Sequence, residues 1–312
     1  TITSRVLAEA GFTNVSLVAA QADPDPDFPT VPFPNPEEAG ALDMAIEQAR
    51  EQGADLIIAV DPDADRCALA VPDPASETGW IPLSGDQIGS LLGEFLAERG
   101  MTGSLANSIV SSRLLSRIAR AHGLEHHTTL TGFKWIARAP GLGFGYEEAI
   151  GFCPDPGNVR DKDGIATSVV AASLVAALKA QGRSVWDELE RLARLHGLHV
   201  SSPLTFRVEE IEQIASGMAR LRAQPPSVLA GSPVVEVSDL SQGYRGLPPT
   251  DGVLVLTEAG DRVIARPSGT EPKLKCYLEV ILPVAEGEPL PWEQARERLD
   301  AIKGAFAEII GL

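Results

Sequence analysis

Cysteine and basic residues are scarce in this sequence and long apolar runs are absent, and each shortage excludes a class of protein. The cysteines Cys67, Cys153 and Cys276 are too far apart to form a metal-ligand set or a disulfide framework. Isolated reduced thiols are typical of the cytoplasm, where we expect this protein. No apolar run approaches the ~20 residues of a membrane-spanning helix, so we expect no membrane partner.

Acidic residues outnumber basic ones. The sequence has 43 Asp and Glu against 26 Lys and Arg, a net charge of -17 at pH 7. Because such a chain repels a phosphate backbone, we expect no nucleic-acid partner. The sequence opens at Thr1 with a helical pattern and without a secretory signal peptide, and we expect it to be part of a longer protein. Nothing in it specifies an oligomeric state.

The composition is that of a globular protein, and the predicted helices and strands alternate along much of the chain. Hydrophobic residues make up 44% of the sequence and the mean hydropathy is +0.02, which allows ordinary cores. Helical and buried-strand patterns alternate in the first two thirds, as in α/β units, whereas strands cluster between helices in the last third, as in an α+β domain. We place the units at 1–103, 104–200 and 201–312.

Apolar periodicity and capping residues predict the individual elements. The predicted strands are at 15–18, 55–60, 67–71, 108–110, 143–146, 234–237, 253–256, 262–265 and 275–282. The predicted helices are at 3–10, 36–52, 85–99, 113–122, 165–180, 185–196, 209–222 and 292–310.

Three aspartates follow the buried-strand pattern at 55–60. The segment reads Asp61-Pro62-Asp63-Ala64-Asp65-Arg66, and in extended backbone its three carboxylates would point the same way. Such a cluster is costly unless a cation neutralises it, and its oxygens suit Mg²⁺ or Ca²⁺. An EF-hand is excluded, because Arg66 and Pro72 stand where it needs Gly and Glu. The alternative is an acidic surface turn.

Two more segments carry groups suited to a phosphorylated sugar. Glu147 and Glu148 lie in a glycine-flanked loop after strand 143–146, and carboxylates accept hydrogen bonds from vicinal hydroxyls. Lys162 is a candidate phosphate-binding or proton-transfer group. The alternatives are a pair of solvated acids and a solvated charge run before a helix.

The segment Arg266–Lys273 concentrates groups that bind phosphate. Arg266 can form two parallel hydrogen bonds to phosphate oxygens. Ser268 and Thr270 can each donate one, and Gly269 lets backbone N–H groups approach an anion. A cationic loop in an acidic chain predicts a specific small anion. Neither a nucleotide-binding Gly-x-x-x-x-Gly-Lys-Ser/Thr loop nor a Gly-x-Ser-x-Gly elbow is present.

In this order, the motifs resemble those of the α-D-phosphohexomutase superfamily, the phosphoglucomutases and phosphomannomutases. Asp61–Arg66 looks like the metal loop of that family, with Pro62 in a glycine place. The loop 146–151 looks like its sugar-binding Gly-Glu-x-Ser loop, with Ala149 in the serine place, and 266–273 looks like its phosphate loop. Segments 131–136 and 161–164 look like further family segments near the sugar, and the resemblance covers essentially all 312 residues.

The resemblance implies two related three-layer α/β units, the first incomplete, followed by a smaller α+β C-terminal domain. These would be part of domain 2, then domain 3 and domain 4 of the family. The family's first domain carries a phosphoserine in a Thr-x-Ser-His-Asn-Pro-like loop, and the 312 residues contain no such loop. We therefore expect no catalytic nucleophile here and no activity from this chain alone.

The implied activity moves a phosphoryl group between the 1- and 6-positions of a hexose through a bisphosphate. Mg²⁺ would be held by Asp61, Asp63 and Asp65, with Arg66 in support. Hexose phosphate and hexose bisphosphate would be the partners, and a preference for glucose, mannose or pentose stays open because Ala149 removes one hydroxyl. The implied substrate-binding residues are Thr131, Gly132, Lys134, Glu147, Glu148, Lys162, Arg266, Ser268, Gly269 and Thr270.

Two other functions compete with this one. The first is a non-catalytic sugar-phosphate-binding protein on the same fold. The second is a metal-dependent phosphatase that uses the three aspartates, although the distant lysine and acidic partners usual in such enzymes cannot be assembled from this sequence.

Overall fold

The computed structural model describes residues 1–23, 25–268 and 272–311, and the chain divides into two compact units. The first unit comprises Thr1–Ile109 and Leu114–Leu189, and the second comprises Val110–Arg113 and Glu190–Leu312. Both units combine helices with sheets, so the predicted mixed α/β class is confirmed. The boundaries at 103 and 200 stay a prediction.

Within the described ranges, the chain forms nine α-helices and thirteen strands. The helices are α1 (Ile2–Glu9), α2 (Asp43–Gln52), α3 (Gly85–Glu98), α4 (Leu114–Ala121), α5 (Phe133–Ile136), α6 (Gly164–Ala180), α7 (Val185–His196), α8 (Ile211–Ala223) and α9 (Trp292–Ile310). The strands are β1 (Ile57–Val60), β2 (Cys67–Pro72), β3 (Trp80–Pro82), β4 (Ser104–Ser108), β5 (Glu125–Thr129), β6 (Leu142–Glu147), β7 (Gly151–Cys153), β8 (Leu198–Arg207), β9 (Val228–Leu229), β10 (Ser232–Asp239), β11 (Val253–Thr257), β12 (Arg262–Pro267) and β13 (Lys273–Leu282). Of the described helices, none alone has the length and apolarity of a membrane span, and α6 and α7 pass that test only as a pair bent by 90°.

The first unit contains a three-stranded antiparallel sheet in the order β1-β2-β3. Val60, the last residue of β1, pairs with Cys67, the first residue of β2. The acidic segment therefore closes a hairpin between two paired strand ends. Ile57, Ala70 and Trp80 form a buried cluster with Leu42 and Ala49, and this packing fixes the base of the loop.

A second sheet in the same unit has the order β5-β4-β6-β7. Strands β5, β4 and β6 are parallel, and β7 runs antiparallel to β6. Ser108 lies opposite Thr129, and Asn107 lies opposite Tyr146, so the parallel strands end at the same level. The segments that follow them lie along one sheet edge, which is where ligands bind in open α/β sheets.

The second unit is built on a six-stranded antiparallel sheet in the order β8-β13-β12-β11-β10-β9. Alternate residues of its central strands, such as Val253, Val255 and Val263, pack with Ile302 and Phe306 of α9 in one core. Helix α8 contributes to the same core. This arrangement of helices against an antiparallel sheet is the predicted α+β fold.

Two elements predicted in the first 52 residues are wrong. Residues 15–18 form no strand, and the Leu17 carbonyl instead accepts a hydrogen bond from Gln48 Nε2 at 3.2 Å. The helix predicted from residue 36 begins only at Asp43. Asn35 Oδ1 accepts the Glu37 N–H at 3.1 Å, and such a local side-chain bond favours a turn over a helix.

Strand β8 is one of the strands that were not predicted, and Pro203 lies within it. Proline cannot donate a ladder hydrogen bond, so it is confined to sheet edges. Strand β8 lies at the edge and pairs only with β13, which makes Pro203 acceptable there.

Candidate functional site

The hairpin loop between β1 and β2 brings three carboxylates together. Oxygen atoms of Asp61, Asp63 and Asp65 lie within 4.8 Å of one another. The sequence predicts this convergence from extended backbone, and that reason is wrong, because the segment is a turn. The Ala64 N–H donates to the Asp61 carbonyl at 2.9 Å, and Ala64 has a φ of 57°.

Neighbouring groups balance only part of this negative charge. Asp61 Oδ1 accepts the Arg66 backbone N–H at 3.0 Å, and Asp61 Oδ2 lies 3.3 Å from Arg66 Nε. Asp65 Oδ2 lies 2.8 Å from Lys162 Nζ. Asp65 Oδ1 is buried and has no hydrogen-bond partner among the residues that the structure describes. The cluster therefore has an unused carboxylate oxygen of the kind that hard divalent cations bind.

The ionisation of Asp61 and Lys162 reflects this crowding. Burial raises the pKa of Asp61, and the charges of Asp65 and Asp63 add to it, against the hydrogen bond from the Arg66 N–H. Burial works against the charged form of Lys162, but the hydrogen bond to Asp65 and the charges of Asp65 and Glu147 outweigh it and raise the pKa of Lys162. Lys162 is therefore a cation at neutral pH.

Glu147 ends β6 and shares a small space with Lys162. A Cβ on Gly151 would lie 3.0 Å from Glu147 Oε1 and 2.6 Å from Lys162 Cδ, so only glycine leaves room for both side chains. Burial, together with the charge of Glu148, raises the pKa of Glu147 to about 7. The carboxyl group is thus part protonated near neutral pH and can accept or donate hydrogen bonds.

Backbone contacts join the acidic loop to the Glu147 loop and to α6. Arg66 forms an antiparallel β-bridge with Gly151. The Gly164 N–H, at the start of α6, donates to the Ala64 carbonyl at 3.0 Å. A Cβ on Gly164 would lie 2.5 Å from the Arg66 carbonyl oxygen and 2.7 Å from that of Ala64. The predicted cation ligands, Glu147 and Lys162 therefore belong to one assembly in the first unit.

The Thr131–Lys134 segment follows β5, on the same sheet edge as Glu147. Thr131 and Gly132 are half-buried, and Gly132 has a φ of 100°. Phe133 is buried in a core cluster, and Lys134 on α5 is exposed. This predicted substrate-binding segment and the Glu147 loop thus follow parallel strands of one sheet, with β4 between those strands.

The Glu148 side chain forms a hydrogen bond within the protein. Ser108 Oγ, at the end of β4, donates to Glu148 Oε2 at 2.9 Å. The side chain thereby links the ends of two neighbouring parallel strands. Its predicted contact with the sugar stays a prediction.

The predicted phosphate-binding segment begins in β12 and ends in β13 of the second unit. Arg266 of β12 is half-buried and pairs in register with Lys275. The Ser268 N–H donates to the Lys273 carbonyl at 2.8 Å, which links the two strand ends. Two further predicted residues, Gly269 and Thr270, lie outside the described residues.

The glycines that support these loops have no role that the sequence motifs predict. Gly164 follows Asp163, whose side chain caps α6 by accepting the Ala166 N–H at 2.8 Å. Glycine in the first turn of a helix costs helix stability relative to alanine. A glycine directly after a capping residue therefore indicates close packing at the start of the helix, and the sequence contains this signal at Gly164.

Comparison with known protein families finds three matches in chain order, all to one family. The alpha/beta/alpha domain II of the phosphoglucomutase/phosphomannomutase family matches residues 1–75. Domain III matches residues 84–195, and the C-terminal domain matches residues 205–293. Together these matches cover most of the chain.

Curated relatives carry related names. A probable phosphomannomutase of Haemophilus influenzae is 45% identical over 280 residues, which are 89% of this chain and 57% of the relative. A phosphoglucomutase of Staphylococcus haemolyticus is 36% identical over 299 residues (88% and 54%). A phosphopentomutase of Mus musculus is 33% identical over 328 residues (93% and 52%). The chain spans about half the length of these relatives.

Solved structures share the fold at lower identity. A putative phosphomannomutase from Thermus thermophilus superposes with a TM-score of 0.61 at 23% identity, over 87% of this chain and 50% of that one. A Paramecium phosphoglucomutase, pp63/parafusin, superposes with a TM-score of 0.64 at 19% identity, over 90% and 51%. The chain belongs to the phosphoglucomutase/phosphomannomutase family.

Proposed function

We propose that this chain supplies the cation-binding and sugar-phosphate-binding parts of a phosphosugar mutase. The enzyme would move a phosphoryl group between the 1- and 6-positions of a hexose through a phosphoserine and a hexose bisphosphate. One observation carries the proposal. The acidic hairpin, in which Asp65 Oδ1 is buried without a hydrogen bond, is packed in one assembly with Glu147 and Lys162.

The residues of the acidic hairpin fit Mg²⁺. The donors are all carboxylate oxygens, and three of them lie within 4.8 Å of one another. Asp65 Oδ1 has no hydrogen-bond partner in the described part of the chain, and its ion pair with Arg66 Nε is long, at 3.8 Å. Asp61, Asp63 and Asp65 would hold the ion. When bound, Mg²⁺ would offset negative charge on a phosphoryl group.

The other side chains would bind and orient the sugar. Glu147 can accept hydrogen bonds from two vicinal hydroxyls, or donate one when protonated. Lys162 would hold a proton and a positive charge beside Asp65. Thr131, Gly132 and Lys134 lie on the same sheet edge and would line the sugar site. Glu148 would help to position the sugar loop through its hydrogen bond with Ser108, as well as through any contact with the sugar.

Arg266 and the residues that follow it would bind the phosphate at the other end of the sugar. The Arg266 guanidinium offers two parallel donors, and Ser268 offers a hydroxyl. Gly269 and Thr270 complete the proposed set. Because the phosphorylated serine of the family is not among the 312 residues, we expect the chain alone to bind substrate without turnover.

The substrate class follows from the names of the relatives. Glucose, mannose and pentose phosphates are the candidates, and Ala149, which lacks a serine hydroxyl, favours none of them by itself. A location in the cytoplasm, suggested by the isolated thiols, stays a prediction. The structure records Cys67, Cys153 and Cys276 as free and buried.

Calorimetric titration with Mn²⁺ and Mg²⁺ tests the cation site. We expect one site per chain, and binding weaker by about tenfold or more in Asp63→Asn, because a ligand is lost. Asp155→Asn, which changes an exposed acid outside the cluster, is the control. Equal affinities in both variants would contradict the assignment.

Binding of glucose 1,6-bisphosphate in Mg²⁺ tests the sugar and phosphate groups. Glu147→Gln and Arg266→Ala should each weaken binding by about tenfold or more, because each removes a hydrogen bond to or from a charged group. Arg245→Ala, at an exposed arginine of the second unit, should leave the affinity unchanged. If Arg266→Ala bound as tightly as the wild type, the phosphate-binding role would be wrong.

Turnover distinguishes the competing functions. The 312-residue chain should not interconvert glucose 1-phosphate and glucose 6-phosphate, whereas a longer protein that includes upstream coding sequence should. Release of inorganic phosphate would favour a phosphatase. Binding without turnover in the longer protein as well would favour a sugar-phosphate-binding protein.

A further inference from the structure

Helix α3 touches the backbone of the loop that carries Glu147. A Cβ on Gly85, the first residue of α3, would lie 2.0 Å from the Glu148 carbonyl oxygen and 3.0 Å from the Ile150 backbone nitrogen. These neighbours are main-chain atoms and cannot swing aside as a side chain would. Any residue larger than glycine at position 85 must therefore displace the loop or the helix.

The same helix also holds the strand that leads to Glu147. A Cβ on Gly89, one turn after Gly85, would lie 2.5 Å from the Tyr146 ring. The Tyr146 hydroxyl donates to Asp86 Oδ1 at 3.0 Å, and both side chains are buried. The residue immediately before Glu147 is thus fixed to α3 both by close packing and by a buried hydrogen bond.

Helix α3 is itself firmly held in the fold and can therefore fix the position of this loop. Ser84 Oγ accepts the Gln87 N–H at 3.2 Å, and Gln87 Oε1 accepts the Ser84 N–H at 2.9 Å. This reciprocal cap fixes the first turn of the helix. Of the 14 residues of α3, 11 are buried, so the helix has little freedom to shift.

The turn after Glu147 is strained and needs such a support. Ile150 has a φ of 53°, which is costly for a β-branched residue and persists only where the surroundings impose it. Gly85 packs on one side of this turn, and on the other side the Ile150 carbonyl accepts the Cys67 N–H at 3.0 Å.

We propose that α3 sets the position of the Glu147 carboxyl group toward the sugar, with Gly85 and Asp86 as positioning residues. Gly85 acts through the Glu148 carbonyl, and Asp86 acts through Tyr146. The inference rests on the proposed function, because it takes Glu147 as the group that contacts the sugar. It gives the sugar loop a contact with α3 in addition to its hydrogen bond with Cys67, whereas the acidic loop packs against Gly164 of α6.

Two glycine variants separate these supports. In Gly85→Ala, we expect binding of glucose 1,6-bisphosphate at saturating Mg²⁺ to weaken by about tenfold to a hundredfold, as misplaced groups do. The Mn²⁺ affinity should change by less than about twofold. In Gly164→Ala, the Mn²⁺ affinity should instead fall by about tenfold. Gly304→Ala, at an exposed glycine with no atom within 4 Å of a new Cβ, should alter neither affinity.

Tyr146→Phe keeps the inference testable if Gly85→Ala does not fold. It removes only the hydroxyl that contacts Asp86 and should weaken bisphosphate binding by about threefold to tenfold, with the Mn²⁺ affinity retained. Unchanged bisphosphate binding in the folded variants, or equal losses of bisphosphate and Mn²⁺ affinity, would overturn the inference.

Titration of Glu147 by carboxyl ¹³C NMR supplies a readout that needs no sugar. The groups whose charges act on it are Glu148, Lys162, Arg66 and Asp65. A loop displaced from α3 would be hydrated, so its pKa should move from about 7 toward the ordinary value of 4.5. If the wild type binds no sugar phosphate, the proposed function fails. The titration of Glu147 then tests by itself whether α3 positions this residue. A lowered pKa in Gly85→Ala or Tyr146→Phe supports positioning by α3, and an unchanged pKa in both overturns it.

Discussion

At the scale of single residues, the candidate site depends on carboxyl groups in unequal surroundings. Asp61 and Glu147 are both acids, but Asp61 is held by the Arg66 backbone N–H, whereas Glu147 lies in a desolvated space beside Glu148. Lys162 contacts Asp65 and acts on Glu147 through its charge. The chemistry of each acid is therefore set by its neighbours rather than by its residue type.

Glu147 should make the stability of the protein depend on pH. Its folded-state pKa of about 7 exceeds the ordinary value of 4.5, so between these values the folded state holds a proton that the unfolded state has released. The free energy of unfolding should therefore fall as pH rises from about 4.5 to about 7. In Glu147→Gln this slope should be smaller, and the variant should be more stable than the wild type by about 3 kcal/mol at pH 8.

Urea unfolding at pH 5 and pH 8, in the presence of a chelator, measures this slope. Glu77→Gln, at an exposed acid, should keep the wild-type dependence on pH. A Glu147→Gln protein with the wild-type slope would show that the Glu147 pKa is ordinary.

At the scale of elements, one acid of β13 organises a cluster within the second unit. Glu279 is buried and lies 2.6 Å from Arg113 Nε, 3.0 Å from His199 Nδ1 and 2.8 Å from Ser112 Oγ. Burial raises the pKa of Glu279, but the charge of Arg262, the hydrogen bond to His199 and the charge of Arg113 outweigh it. The pKa of Glu279 is therefore held well below its ordinary value.

Replacing Glu279 with glutamine should destabilise the second unit by about 3–5 kcal/mol, because buried cations lose their counter-charge. Since the pKa of this acid is depressed, its contribution is present above the ordinary value of 4.5 and is lost only as pH falls below it. The loss should therefore already be present at pH 6, above the ordinary value of this acid, in urea unfolding. Glu288→Gln, at an exposed acid, should be neutral, and an equally neutral Glu279→Gln would contradict the role of this cluster.

Elements were predictable where one local pattern dominated. The helices predicted at 185–196 and 292–310 have those limits in the structure, because their apolar residues recur at helical spacing over three turns or more. The predicted strand at 15–18 has the apolar residues of a strand but no ladder partner. Whether a strand-like segment pairs is decided by what lies beside it, which a local pattern does not contain.

At the scale of the whole molecule, a net charge of -17 makes cation binding a stabilising event. A ligand that binds only the folded state stabilises it by mass action, by about 2.7 kcal/mol at a hundred times its Kd. Mg²⁺ should therefore raise the melting temperature by a few degrees, on the order of 2–4 °C for each kcal/mol in a large domain. Calorimetry at matched ionic strength with NaCl separates specific binding from charge screening.

The Asp61→Asn variant should lose most of this Mg²⁺-dependent shift and keep the response to NaCl. Asp155→Asn should keep both. If NaCl at matched ionic strength reproduced the whole shift, the stabilisation would come from screening of the net charge and not from the acidic hairpin.

The sequence by itself determined the mixed α/β class, the family resemblance and the identity of the charged groups at the candidate site. These features depend on short segments, such as Asp61–Arg66, whose residue types can be interpreted without knowing which residues pack against them. Only the tertiary structure decided that this segment is a turn, that Glu147 is desolvated, and that Gly85, Gly151 and Gly164 support the loops. Burial, close backbone approach and pKa depend on atoms that are distant in sequence, and these atoms become neighbours only when the chain folds.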